Sequence, residues 1–225
     1  MLRAGEAWAF ASWAWDEAEA DLIRVPPEGR AVTLRVQPED GGALPWLYPS
    51  LLSCEICHRV PEARALGPRT GQLHHVVDYG GVRADQLLAM DEIGLFDPPI
   101  GPLDGLPAIV DPYGAAPVEA RARAWLHGNC AHCHQPGGFV PPDSTLDLRV
   151  TTPLAEMDAC GARKHAGYTT PGEELIVPGD ASASHLVQRL LVTGYEKMPP
   201  DGAVRVDDAG VGAVTAWIQG LRACP

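Results

Sequence analysis

Along the first 45 residues, apolar and polar positions alternate with a short period, so the segment predicts β-structure. Trp8, Phe10 and Ser12 share one phase, and Trp13 and Trp15 continue in the other, which places a bulge or break near Ser12. Leu22 to Val25, the turn Pro26-Pro27-Glu28-Gly29, and Val32, Leu34 and Val36 predict a hairpin, with a further turn at Gln37 to Gly42. The tryptophans read as packing mass for this small sheet. From Trp46 the pattern changes. Ser50 is placed to cap a helix beginning at Leu51. A loop over Pro61 to Tyr79 precedes a helix over Asp85 to Phe96, which offers Leu87, Leu88, Ile93 and Leu95 for burial. Asp97 to Pro117 is dense in proline and glycine and reads as a linker. Val118 to Asn129 predicts a helix with Val118, Ala122 and Trp125 on one face. Phe139 to Thr170 reads as an irregular insertion with a strand at Leu146 to Val150. A last helix, about Asp207 to Arg222, carries the stripe Val211, Val214, Trp217, Ile218 and Leu221.

These elements divide the chain into a β-rich segment at 1–45, a module at 46–116 and a helical module at 117–225. The fold class is mixed: mainly α in the two modules, with much irregular loop and a small N-terminal β-sheet. Composition supports a packed protein, with 46% hydrophobic and 20% charged residues. The 24 glycines and 22 prolines exceed ordinary usage and suit backbone that wraps a cofactor. No apolar run is long enough to span a bilayer. A net charge of −12 argues against a nucleic-acid partner and leaves simple solubility or a basic protein partner.

The chemistry lies in two five-residue runs, Cys54-Glu55-Ile56-Cys57-His58 and Cys130-Ala131-His132-Cys133-His134. Cysteines three apart on a helical turn lie on one side, so both sulfurs can form thioethers to one porphyrin edge. The histidine that follows sits under the ring and offers a nitrogen to iron. CxxCH is the attachment pattern of c-type haem, and chance duplication of it is improbable at this cysteine content. Zinc is the rival, but structural zinc ligands usually lie closer in sequence than these two pairs do. No βαβ setting supports a thioredoxin-like role. The chain is therefore expected to carry two covalent haems.

For the second haem, Met198 in Lys197-Met198-Pro199-Pro200 is the expected sixth ligand, since a thioether suits iron and the prolines fix the loop. The helices at 118–129 and 207–222 match the terminal helices of a small cytochrome c, and Pro136-Gly137-Gly138 can turn tightly beside the ring. The first haem has His75, His74 and Met90 as distal candidates, with His75 preferred, and an open iron as the remaining option. Met90 also reads as ordinary core. His127, His132, His165 and His185 read as solvated or hydrogen-bonded histidines. Cys160 and Cys224 can pair as a disulfide or remain two free thiols.

Trp46-Leu47-Tyr48-Pro49-Ser50 before the first motif, with Leu66-Gly67 and Thr70-Gly71-Gln72-Leu73 after it, resembles a bacterial family of two-haem c-type cytochromes. Arg121 to His134, Pro136-Gly137-Gly138, Pro178-Gly179-Asp180, Met198-Pro199-Pro200 and Trp217-Ile218 resemble that family's C-terminal half, a cytochrome c-like module. The resemblance implies haem attachment at Cys54, Cys57, His58, Cys130, Cys133 and His134, and ligation by Met198. It departs at His74 and His75, where the family pattern has asparagine and a basic residue. It also implies an exported electron carrier in the periplasm or at the cell surface. Met1 to Asp21 lacks an export pattern, so the chain reads as beginning downstream of a natural start.

The function expected is one-electron transfer between redox protein partners. The alternative is an enzyme such as a two-haem peroxidase with an open first iron. A third option is an interaction protein whose N-terminal sheet docks a larger chain.

Overall fold

A computed structural model describes residues 2–4, 7–36, 42–58, 65–140, 144–163, 172–194, 196–200 and 205–225. Among them are six α-helices and four antiparallel sheets of two strands each, joined by long irregular segments. The mixed class expected from the sequence is present at that level.

The N-terminal region holds β1 (Leu2–Ala4), β2 (Ala7–Ala9), β3 (Trp13–Trp15), β4 (Leu22–Arg24), β5 (Arg30–Val36) and β6 (Gly42–Tyr48). The break near Ser12 falls between β2 and β3. The expected hairpin of Leu22–Val25 with Val32–Val36 does not form. β4 pairs with β3, while β5 pairs over its whole seven-residue length with β6. The turn itself is present, closed by Gly29 N–H donating to Pro26 O at 2.9 Å, but it hands the chain from one ladder to the next. The longer ladder with β6 takes β5, because each added pair contributes cross-strand contacts. β6 runs through residue 45 into the segment that bears the first motif. Trp13 and Trp15 are 45% and 61% exposed, so they are not core; Ala14 between them is buried. Positions 37–41 of the expected second turn lie outside the described residues.

Helix α1 (Leu51–Cys57) begins as expected, with Ser50 Oγ accepting from Ser53 N–H at 3.1 Å. Within the expected loop at 61–79 lie α2 (Thr70–Leu73) and β7 (Val76–Asp78), the latter pairing with β8 (Arg83–Asp85). Helix α3 (Gln86–Glu92) is capped by Asp85 and stops short of Phe96. Of its expected apolar set only Leu87 is buried; Leu88, Ile93 and Leu95 are exposed.

The main core belongs to α4 (Val118–Asn129), α5 (His185–Leu191) and α6 (Asp208–Gly220). Ala122, Trp125 and Leu126 of α4 meet Val211, Val214, Trp217 and Ile218 of α6, and Leu186, Val187 and Leu190 of α5 complete the cluster. Each large side chain buried here contributes about 1.5–3 kcal/mol. The helices come closest at Gly210, where an added Cβ would lie 1.9 Å from Trp125 Nε1. Asp207 caps α6 through Gly210 N–H at 3.0 Å and also accepts from Trp125 Nε1–H at 2.7 Å. Tyr113 O–H donates to the same carboxylate at 2.5 Å, tying the linker to the crossing.

The expected strand at Leu146 to Val150 is absent. Asp147 N–H donates to Met157 O and Leu148 N–H to His134 O, both at 2.9 Å, so the segment bonds to a loop and to the second motif rather than to a strand. Cys160 and Cys224 are joined as a disulfide, closing 64 residues of sequence separation. No described helix is long and apolar enough to cross a membrane.

Gly210→Ala is expected to lower stability by about 1–3 kcal/mol through overpacking against Trp125. Gly212→Ala, on the exposed face of the same helix with open space around it, is expected to raise it by about 0.5–1 kcal/mol. Urea midpoints of the two variants check both signs. Replacing Cys160 and Cys224 by serine is expected to cost about 2–4 kcal/mol in the same assay.

Candidate functional site

Both CxxCH runs use the same local geometry. His58 N–H donates to Cys54 O at 3.0 Å, and His134 N–H donates to Cys130 O at 2.9 Å, so each cysteine pair spans one helical turn. The first turn is the end of α1, with His58 as its C-cap. The second follows α4 directly, and Cys130 N–H continues the helix by donating to Leu126 O. Gly138 closes that loop: a Cβ there would lie 1.9 Å from Cys133 O. The glycine at this position is a packing requirement.

A cavity of about 460 Å³ opens beside the second motif. Cys130, Cys133 and His134 line it together with Met198. Its apolar walls include Leu126, Leu146, Leu148, Leu186 and Leu190, and its polar lining includes Asp158, Arg163, His185 and Arg189. The volume lies in the range of small-molecule and cofactor sites. Burial, with His132 and Arg189 nearby, pulls the His134 pKa down to about 4, so its ring is neutral near neutrality. Its Nδ1 is buried without a hydrogen-bond partner among the described residues. A neutral imidazole and a thioether on one apolar cavity are a donor set suited to iron, and the cavity's cations suit a ligand with carboxylates. The donor set at this cavity therefore fits a haem by its chemistry.

Met198 is held from both sides. Its N–H donates to Arg189 O at 2.8 Å, and Arg189 Nε–H donates to Glu196 O. Lys197 Nζ donates to Pro199 O at 2.9 Å and Pro200 O at 2.7 Å. The buried Arg189 and its helix α5 thus fix the loop that presents the sulfur. Sequence reasoning missed α5. The spacing of His185 and Arg189, four apart on one helix face, was the signal available.

The first motif meets the second. Cys57 Sγ, Cys133 Sγ and a His132 ring nitrogen lie within 4.8 Å of one another, and all three residues are half-buried. Hydrogen bonding to Cys133 and to His132 draws the Cys57 pKa down to about 5, while the same bond and burial push Cys133 up. Burial alone pushes Cys130 up to about 12. His132, expected to be solvated or hydrogen-bonded, is hydrogen-bonded to Cys57 in this cluster.

The distal candidates for the first motif are not gathered. None of His74, His75 and Met90 lines the cavity beside the second motif or joins the cysteine cluster. His74 Nδ1–H donates to Pro107 O at 3.2 Å, and its Nε2 lies 3.7 Å from Asp85 Oδ2. His75 is exposed; its Nδ1–H donates to Gln72 O at 2.9 Å. Met90 is half-buried on α3. His58 packs on Phe10, with ring centroids 5.5 Å apart. His127 accepts from Val150 N–H at 3.3 Å, as a hydrogen-bonded histidine. His185, expected to be solvated or hydrogen-bonded, is buried. His165 lies outside the described residues.

The segment that bonds to His134 O is itself braced by Asp147. Its carboxylate accepts from Arg149 Nε–H at 2.9 Å, Arg149 Nη2–H at 2.5 Å and Thr152 O–H at 2.9 Å. Burial opposes ionisation, but these bonds outweigh it and hold the Asp147 carboxyl below the usual range. Asp207 is held low in the same way, burial again opposing the bonds from Tyr113, Gly210 and Trp125. A depressed carboxyl contributes stability above the unfolded value of about 3.9, and that contribution is lost as pH falls through the lower folded value. Urea midpoints are therefore expected to fall below about pH 4. Asp147→Asn is expected to cost about 1–3 kcal/mol at neutral pH and to flatten the acid limb.

Comparison with protein-family models, with curated proteins and with solved structures finds no match to this chain.

Proposed function

We propose that this chain is a two-haem c-type cytochrome that passes single electrons between protein partners outside the cytoplasm. The observation that carries the reading is the cavity lined by Cys130, Cys133, His134 and Met198 together. On this reading Cys130 and Cys133 would hold the group through their sulfurs, and His134 and Met198 would offer donors to its iron from segments far apart in sequence.

A haem bound here would supply one-electron ferric/ferrous chemistry. The protein's own residues set the terms of that exchange. Cys130 and Cys133 would fix the group by thioether bonds, and His134 would present it a neutral imidazole. Met198 offers sulfur from a loop held by Arg189 and Lys197, and a His/Met pair favours a high potential. The leucine walls make the site largely apolar, and the cationic groups lining it favour a carboxylate-bearing ligand. At the first site Cys54, Cys57 and His58 take the corresponding roles. His75 is the favoured distal ligand, because His74 is engaged by Pro107 and Asp85. The acidic surface, with its net charge of −12, would steer a basic redox partner. A disulfide between Cys160 and Cys224 supports an oxidising location such as the periplasm or cell surface.

The meeting of Cys57, His132 and Cys133 favours a second reading, a soft-metal centre of the zinc type. The two readings exclude each other, since a sulfur alkylated by haem is no longer a thiolate ligand.

Protein matured in an export-competent host is expected to give two haems per chain by pyridine haemochrome. Fewer than one haem with stoichiometric zinc would replace the cytochrome reading by the zinc one. Met198→Ala is expected to abolish the weak methionine–iron absorption band and to lower one midpoint potential while the other stays nearly constant. Carbon monoxide binding by the reduced wild-type protein would instead indicate an open iron and redirect the assignment to an enzyme.

A further inference from the structure

We infer that the two haem attachment sites form one contact, with the Cys57 and Cys133 thioether edges facing each other, so that the two haems act as an electronically coupled pair. This rests on the cytochrome reading and goes beyond it, because two attachment motifs in one chain need not be neighbours. Two independent features of the chain carry it. Cys57 Sγ, Cys133 Sγ and a His132 nitrogen lie within 4.8 Å of one another, which joins the second cysteine of each motif. Ile56, inside the first motif, lines the same cavity as Cys130, Cys133, His134 and Met198. The first motif is therefore part of the wall of the second site.

The position of α1 is also fixed from outside this contact. Leu51 N–H donates to Pro27 O at 2.9 Å at its start, and His58 packs on Phe10 at its end. None of its residues is fully buried, so α1 is a strut lying between the β-segment and the second motif. Each thioether joins its sulfur to the porphyrin edge through a single carbon. Contact between Cys57 and Cys133 therefore brings together the edges that bear them, with a His132 ring nitrogen within 4.8 Å of both sulfurs.

Two porphyrins in such contact mix their Soret transitions, and their ferric irons sense each other magnetically. The test is Soret circular dichroism of the oxidised holoprotein after its haem count is known. Two haems with a bisignate couplet are expected. Two haems with a single-signed Soret band would overturn the contact and leave the cytochrome reading standing. Fewer than one haem per chain would remove both. The variant with Cys54, Cys57 and His58 all replaced by alanine is expected to hold one haem and to lose the couplet. A couplet that persists in the one-haem variant has another origin and overturns the inference.

Electron paramagnetic resonance of the wild-type holoprotein serves where that variant does not mature. Both low-spin ferric signals are expected to be broadened, and reduction of the higher-potential haem is expected to sharpen the other. Sharp, independent signals in the fully oxidised protein would count against the contact.

Discussion

Gly210 lies against the Trp125 indole with no room for a Cβ, and the direction of the second motif follows from that contact. With no side chain at 210, α6 can lie against α4 at a spacing that a Cβ would prevent. The indole N–H that this contact buries is matched by Asp207, which also caps α6 and takes the Tyr113 hydroxyl. A buried tryptophan N–H needs an acceptor, and here the helix cap supplies it, so packing and hydrogen bonding are solved by one carboxylate. Because α4 leads straight into Cys130, the angle set at this crossing also sets the direction of the second motif.

Around that fixed pair, the site is assembled from pieces with little regular structure of their own. The segment at 144–150 has no strand partner; it bonds to His134 O and to the Met157 carbonyl, and Asp147 folds it back on Arg149 and Thr152. The Met198 loop is shaped by Arg189 and Lys197 donating to backbone carbonyls. Irregular backbone of this kind costs entropy to order, and side-chain donors to loop carbonyls supply part of what a helix or sheet ladder would otherwise provide.

The N-terminal half has a different economy. Its four ladders are two-stranded, and such pairs are marginal alone, so they depend on what they touch. The β-segment does so partly through α1, which links Pro27 and Phe10 to the cysteine cluster at Cys57.

Local rules made much of this readable from sequence. The Ser50 cap, the full extent of α4 and the apolar stripe of α6 follow from neighbours within one or two helical turns. The two motifs and the methionine before two prolines were visible for the same reason. Helix α5 was not, since seven residues between irregular segments give too short a pattern to stand out. Strand pairing was misread because a turn signal reports that the chain bends, and only the competing ladder decides which strands then meet. The sequence by itself determined that two cysteine–histidine turns form and that a methionine loop is available. Only tertiary structure decided that His134 and Met198 share one cavity, and that Cys57 reaches Cys133 and His132. Those contacts join residues far apart along the chain, so no local pattern encodes them; they exist because α4, α5 and α6 pack in one way.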